Sequence, residues 1–194
     1  VTLRTTDAAG AVIASINAGQ PFYLEAWVAD RRISPLGVAA AYLDVTYPNS
    51  LASVMGAVAS GAEFPHFVAG QTATAGLIDE AGAGRPTILA DGQEHRLWRI
   101  PLVALARGTA VFAANPADNS PSADLLLFGL DGPLDRSANV VYAGTTLQIK
   151  GPPLAADDEY RVDEDGELTV PAAAGVLAND LDEEGDPLSA VLVS

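Results

Sequence analysis

Cysteine is absent from this chain, lysine occurs once, at Lys150, and histidine only at His66 and His95. Without cysteine there can be no thiolate metal site, no redox motif and no disulfide. That says little about compartment, since cytosolic proteins avoid disulfides and many bacterial exoproteins do too. The two histidines stand in unlike contexts, "EFPHFVAG" and "GQEHRLW", which excludes a paired zinc site on one helix. The lone Lys150 sits in no phosphate loop, "GAGRPT" lacks the last glycine of a dinucleotide turn, and no Gly-x-Ser-x-Gly elbow occurs. No apolar stretch approaches the roughly 18 residues of a membrane span. No signal peptide is visible, so a secreted origin implies that one has been removed.

Positive charge is also scarce. Ten basic residues face 25 acidic ones, a formal net charge of −15. Such a balance argues against nucleic acid and anionic membrane as partners and suits divalent cations. Aromatics reach only 6% although 49% of residues are hydrophobic, so alanine and valine carry much of the apolar content. Eighteen glycines and 13 prolines break the chain often, which suits many short strands and turns. At 194 residues there is room for one large or two small domains with a sizeable core.

The charge is unevenly placed. Residues 1–150 hold 13 acidic and 9 basic residues, whereas residues 151–194 hold 12 acidic residues against Arg161 alone. The shift falls at "KGPPLAADDEY", where Gly151, Pro152 and Pro153 read as a stiff linker. Three segments are expected: a domain over 1–150, a Pro-rich linker over 151–156 and a second domain over 157–194.

Period-2 alternation runs through the first segment. "PFYLEAWVAD" sets Phe22, Leu24, Ala26 and Val28 on one face and Tyr23, Glu25 and Trp27 on the other. "YLDVTY" aligns Leu43, Val45 and Tyr47 against Asp44 and Thr46, and "TTLQIK" aligns Leu147 with Ile149. This is the pattern of half-buried antiparallel strands. Turns are expected at Ala18-Gly19-Gln20-Pro21, Pro48-Asn49-Ser50, Asn115-Pro116 and Asp131-Gly132-Pro133. "LASVMGAVASG" and "RIPLVALARG" have some helical character through alanine, but neither has helical length with two caps, so both read as strands.

Two chemistries other than plain packing need weighing here. Asp79-Glu80, with Asp118 and Asp124, offers carboxylates for glycoside cleavage only if two of them face each other across a cleft. Trp27 and Trp98 allow a carbohydrate-binding module, with Trp27 on the outer face of its strand and Trp98 in the core.

"AVIASINAGQPFYLEAWVAD", then "GVAAAYLDVTY" followed by "PNSL", resembles the opening of a cohesin-type module. The resemblance covers most of residues 1–150 in order and spacing of elements. It implies a jelly-roll β-sandwich from a secreted or cell-surface bacterial protein. The best known cohesins bind dockerin modules, but no residue here marks a dockerin-binding face.

The acidic tail raises the question of calcium, which takes about six to eight oxygen ligands. "NDLDEEGD" sets Asp180, Asp182, Glu184 and Gly185 at the spacing of an EF-hand loop, but Val191 falls where the bidentate carboxylate belongs. "LSAVLV" then alternates like a strand, so the EF-hand and dockerin readings fail. Residues 155–194 resemble instead the first half of the cadherin-like tandem repeats of large bacterial adhesins and exoproteins. Asp157-Asp158 before an aromatic, "VDEDG" with "LTV", "GVLAND" and "DEEGDPLSAV" carry the likeness. It implies a β-sandwich repeat holding Ca²⁺ near its domain junctions, with Asp157, Asp158, Glu164, Asp180, Asp182 and Asp186 as ligands. A solvated acidic surface is the plain alternative.

The expected fold is therefore all-β, a cohesin-like jelly roll plus a partial cadherin-like, Ig-like repeat. The expected function is a non-enzymatic structural or adhesive module pair, secreted or on the cell surface, with a carbohydrate-binding module as the alternative. Expected partners are other protein modules or copies of the chain, with a dockerin-like module or a glycan among the options. Nucleic acid and membrane insertion are not expected. Strands near "EYRVDED", "ELTVP" and "LSAVLV" would be only part of a sandwich of about seven. Val162, Leu168, Val170, Leu177, Leu188, Val191 and Val193 are their inward candidates, and the tail is expected to be completed by strand addition or packing from outside itself.

Overall fold

A computed structural model describes residues 1–119, 125–130 and 139–192. The chain divides into two compact units, Val1–Ile149 and Lys150–Ser194.

The first unit is a two-sheet sandwich. One sheet runs β1 (Thr2–Thr6), β3 (Pro21–Val28), β9 (His95–Ala104) and β5 (Ala52–Val54), with β6 (Ala59–Ser60) also on β9. The other runs β2 (Ser15–Asn17), β12 (Thr145–Lys150), β10 (Gly108–Pro116), β4 (Val38–Thr46), β8 (Leu77–Gly84) and β7 (His66–Gln71), with β11 (Leu126–Leu127) beside β4. The pairs β1–β3, β3–β9, β5–β9, β6–β9, β10–β12, β4–β10, β4–β11, β4–β8 and β7–β8 are antiparallel. The two stretches with helical character are strands: "LASVMGAVASG" forms β5 and β6, and "RIPLVALARG" lies largely in the second half of β9.

The alternating residues meet between the sheets. Phe22, Leu24, Ala26, Leu43, Val45, Leu147 and Ile149 are fully buried there. Each large aliphatic or aromatic side chain so placed contributes about 1.5–3 kcal/mol. Phe112 of β10 meets Phe22 edge-on at 6.0 Å and stacks on Tyr47 at 5.9 Å. Trp98 of β9 is buried as expected, and its indole N–H donates to the Ala81 carbonyl of β8 (3.1 Å), joining the two sheets through the core.

Three local expectations change. Asn115-Pro116 is not a turn: β10 continues through it, pairing Asn115 with Asp44 and Pro116 with Leu43. Glu25 is on the outer face, as its alternation requires, yet it is buried, because Arg96 (3.1 Å) and the Trp27 indole (3.0 Å) close over its carboxylate. Asp44 is likewise outward and buried. The turn expected at Asp131-Gly132-Pro133 lies outside the described residues.

The second unit has little regular structure. Leu154 and Leu181 exchange backbone hydrogen bonds (2.7 and 2.9 Å), and Ala172–Ala174 form one 3-10 turn. Between residues 151 and 192 no strand occurs, so those expected near "EYRVDED", "ELTVP" and "LSAVLV" are not formed among the described residues. Of their inward candidates, Val162, Leu168 and Val191 are exposed, and Val170, Leu177 and Leu188 are half-buried. Val193 lies outside the described residues. A few apolar side chains with no facing layer cannot offset the ordering of a sheet.

Candidate functional site

The most unusual chemistry of the sandwich lies on the outer face of the second sheet. Ala41, Leu43 and Val45 of β4 point into the core, so Tyr42, Asp44 and Thr46 point the other way. Across from Asp44 the ladder slips: Leu43 pairs with Ala81 and Val45 with Ile78, leaving Asp79 and Glu80 opposite Asp44 alone. This is a β-bulge, two residues facing one.

Glu80 adopts a left-handed backbone, φ +54°, which costs a non-glycine residue about 1–2 kcal/mol. Hydrogen bonds hold it there. Its N–H donates to Asp44 Oδ1 (2.8 Å), and its Oε1 accepts from the backbones of Asp118 (2.9 Å) and Asn119 (2.7 Å) and from Asn119 Nδ2 (3.2 Å). The segment after β10 is thereby tied to β8. Glu80 Oε2 is buried without a hydrogen-bond partner.

Asp44, Asp79 and Glu80 each bring a carboxylate oxygen to within 4.8 Å of the others, and Asp44 and Glu80 are buried. Burial pushes the Asp44 carboxyl above the ordinary aspartate value. The charges of Glu80, Asp79 and Asp118 push the same way, against the Glu80 N–H bond. The oxygens of these acids lie within 4.8 Å of one another and two of the three residues are buried, whereas glycoside cleavage sets two carboxyls about 5 Å or more apart on either side of the bond. Asp124 lies outside the described residues.

The same face carries apolar surface. Val111 of β10 is 52% exposed, and Phe67 of β7 is 76% exposed. Tyr42 reaches across and donates to the Phe67 carbonyl (2.8 Å). The outer face of the first sheet is different: Arg4 covers the Trp27 ring at 4.6 Å and Arg99 covers the Tyr23 ring at 3.7 Å. With guanidinium groups already stacked on them, these rings are not a bare platform for a sugar.

Solved structures similar to this chain are cohesins. One is the cohesin module of a family 33 glycoside hydrolase from Clostridium perfringens ATCC13124, at 12% identity and TM-score 0.52, covering 78% of this chain and 98% of that one. Another is the sixth cohesin of Acetivibrio cellulolyticus scaffoldin B in complex with a Cel5 dockerin mutant, at 11% identity and TM-score 0.52, covering 77% and 98%. A third is the seventh ScaB type I cohesin of Pseudobacteroides cellulosolvens, at 7% identity and TM-score 0.51, covering 84% and 99%. The sandwich has the cohesin fold. No protein-family model and no curated protein matches the sequence.

In the second unit, the Leu154–Leu181 bridge draws together two of the acidic stretches expected to bind calcium. Asp180 Oδ1 accepts from the Ala156 N–H (2.9 Å), and Asn179 Nδ2 donates to the Asp157 carbonyl (3.1 Å). Asp182 Oδ1 accepts from the N–H groups of Glu184 (3.1 Å) and Asp186 (2.8 Å), closing the "DEEGD" turn. Asp186 pairs with Lys150 (2.8 Å), and Asp158 lies 3.5 Å from the Tyr160 hydroxyl. Glu164 is exposed. Among the described residues, Asp44, Asp79 and Glu80 are the one set of three acids whose oxygens lie within 4.8 Å of one another.

The sequence named Asp79 and Glu80 but missed Asp44 as their companion. A carboxylate alternating outward on a strand looks solvated until the register places it. The only available signal was an acid in one strand and a pair of acids in another.

Proposed function

We propose that this chain is a non-enzymatic protein-binding module of a secreted or cell-surface protein. Its sandwich docks a partner module on the outer face of the β10–β4–β8–β7 sheet. The cohesin fold carries this reading, since the cohesins it resembles match over almost their whole length. One of them was solved bound to a dockerin, and a dockerin-like module is the partner we assign here. The surface has suitable chemistry, with exposed Phe67 beside Tyr42, the acids of β4 and β8 on the same face, and exposed Val111 further along β10.

The second unit is read as a partial cadherin-like repeat that binds Ca²⁺ through Asp157, Asp158, Glu164, Asp180, Asp182 and Asp186. The hydrogen bonds linking residues 154–157 to 179–181 support that reading by bringing Asp157 and Asp180 to neighbouring positions. Calcium then replaces the mutual repulsion of these carboxylates with shared ligation and stiffens an otherwise loosely built segment.

Titrating the full chain calorimetrically with a panel of dockerin modules tests the partner. Binding by at least one member is expected, with Phe67→Ala and Val111→Asp each weakening it about tenfold or more. A panel without any binder removes the dockerin assignment. Binding that both substitutions leave unchanged moves the interface off this face.

A further inference from the structure

We infer that Asp44, Asp79 and Glu80 form a binding site for a hard divalent cation, with Ca²⁺ as its ligand, on the sandwich itself. This site is separate from the acidic second unit and does not depend on which protein the module binds.

Three observations carry it. The carboxylate oxygens lie within 4.8 Å of one another, a spread that a cation about 2.3–2.6 Å from each oxygen spans. Asp44 and Glu80 are 5% and 7% exposed, and among the described residues no ion pair reaches any of the three acids. Glu80 Oε2 is sealed from water and unpartnered, although Oε1 of the same carboxylate accepts three hydrogen bonds. A buried carboxylate oxygen with nothing to bond is rare and costly. The donor set is all oxygen, with no histidine or cysteine, which selects hard cations over zinc or copper.

A proton shared within the cluster is the competing occupant. It would relieve only one of the three charges and leave the other two packed together. A divalent cation offsets two of the three negative charges, attracts all three groups at once and supplies that oxygen with its partner. The bulge then has a purpose: it turns two successive β8 residues towards one β4 carboxylate, which a regular ladder with alternating side chains cannot do.

The test uses the full chain, read by tryptophan emission. Both tryptophans, Trp27 and Trp98, lie in the first unit, so their emission follows unfolding of the sandwich and not of the acidic tail. At neutral pH, Ca²⁺ at a hundredfold excess over its Kd should raise the melting temperature about 5 °C or more above that in EDTA. Glu80→Gln and Asp79→Asn should each abolish that Ca²⁺-dependent rise. Asp79 accepts none of the hydrogen bonds that hold Glu80, so Asp79→Asn carries the test if Glu80→Gln does not fold. In EDTA, Asp79→Asn should melt at or above the parent, because one repelling charge is gone. Identical melting in Ca²⁺ and EDTA overturns the site. So does a Ca²⁺-dependent rise that survives Asp79→Asn and disappears only when Asp180 and Asp182 are changed to Asn.

Discussion

Asp30 shows how much one residue of this sandwich can carry. It follows β3, is 3% exposed, and its carboxylate accepts from Arg32 Nε and Nη2 and from the backbones of Leu36 (2.9 Å) and Gly37 (3.0 Å). Arg32 in turn donates to the Phe128 carbonyl (2.8 Å), so one acid organises the chain between β3 and β4 and its contact with the segment after β11. The Arg32 side chain, helped by the backbone donors, holds the Asp30 carboxyl well below the ordinary aspartate value. A carboxyl depressed in the folded state contributes stability above its unfolded pKa, and that contribution is lost as pH falls through the folded value. The sandwich should therefore lose stability progressively below about pH 4. Asp30→Asn should cost about 3 kcal/mol at pH 7, because buried donors lose their charged acceptor. In the variant, the acid-dependent part of the loss should shrink. Tryptophan-detected melting between pH 7 and pH 2 reads both effects, and parallel pH curves for variant and parent would refute the assignment.

At the scale of elements, β4 and β8 hold the most information. Gly82 of β8 lies so close to β4 that a Cβ there would sit 2.2 Å from the Ala41 carbonyl oxygen and 2.2 Å from the Tyr42 ring. The ring can shift, but the backbone oxygen cannot move without breaking the ladder. Gly82→Ala should destabilise the sandwich by about 2–3 kcal/mol and release the Tyr42–Phe67 hydrogen bond. Denaturant unfolding measures the first effect, and a midpoint equal to the parent's would show that β4 yields. The strands themselves were legible, because Phe22, Leu24 and Ala26 or Leu147 and Ile149 repeat with period 2 and all are buried. Pro116 was misread because proline usually marks a turn. Here it stands at the last position of β10, where a missing N–H is tolerated.

For the whole molecule the contrast between the units matters most. The first packs a continuous core between two sheets, whereas the second leaves Leu154, Val162, Leu168, Val176 and Leu181 each about half exposed or more. A segment with so little apolar burial needs another source of order, and the proposal is that Ca²⁺ supplies it. Adding Ca²⁺ to the full chain should slow amide exchange of residues 154–186 severalfold. Asp157→Asn together with Asp180→Asn should cancel that slowing. Exchange in the second unit that is the same in Ca²⁺ and EDTA would leave these acids as a solvated surface.

Alternation, turn residues and charge are properties of neighbours along the chain, so the sequence alone determined the all-β class, most strand positions, the burial of Trp98 and the acid-rich character of the tail. Contact between distant segments decided the rest. Arg4 lies over Trp27 because β1 pairs with β3, which removes the bare aromatic face that a sugar would need. Asp44 meets Asp79 and Glu80 because the ladder slips by one residue between Leu43 and Val45. A register shift changes which side chains share a face without altering any local pattern. The strands of the tail likewise needed a facing layer, and alternation in one segment cannot supply one.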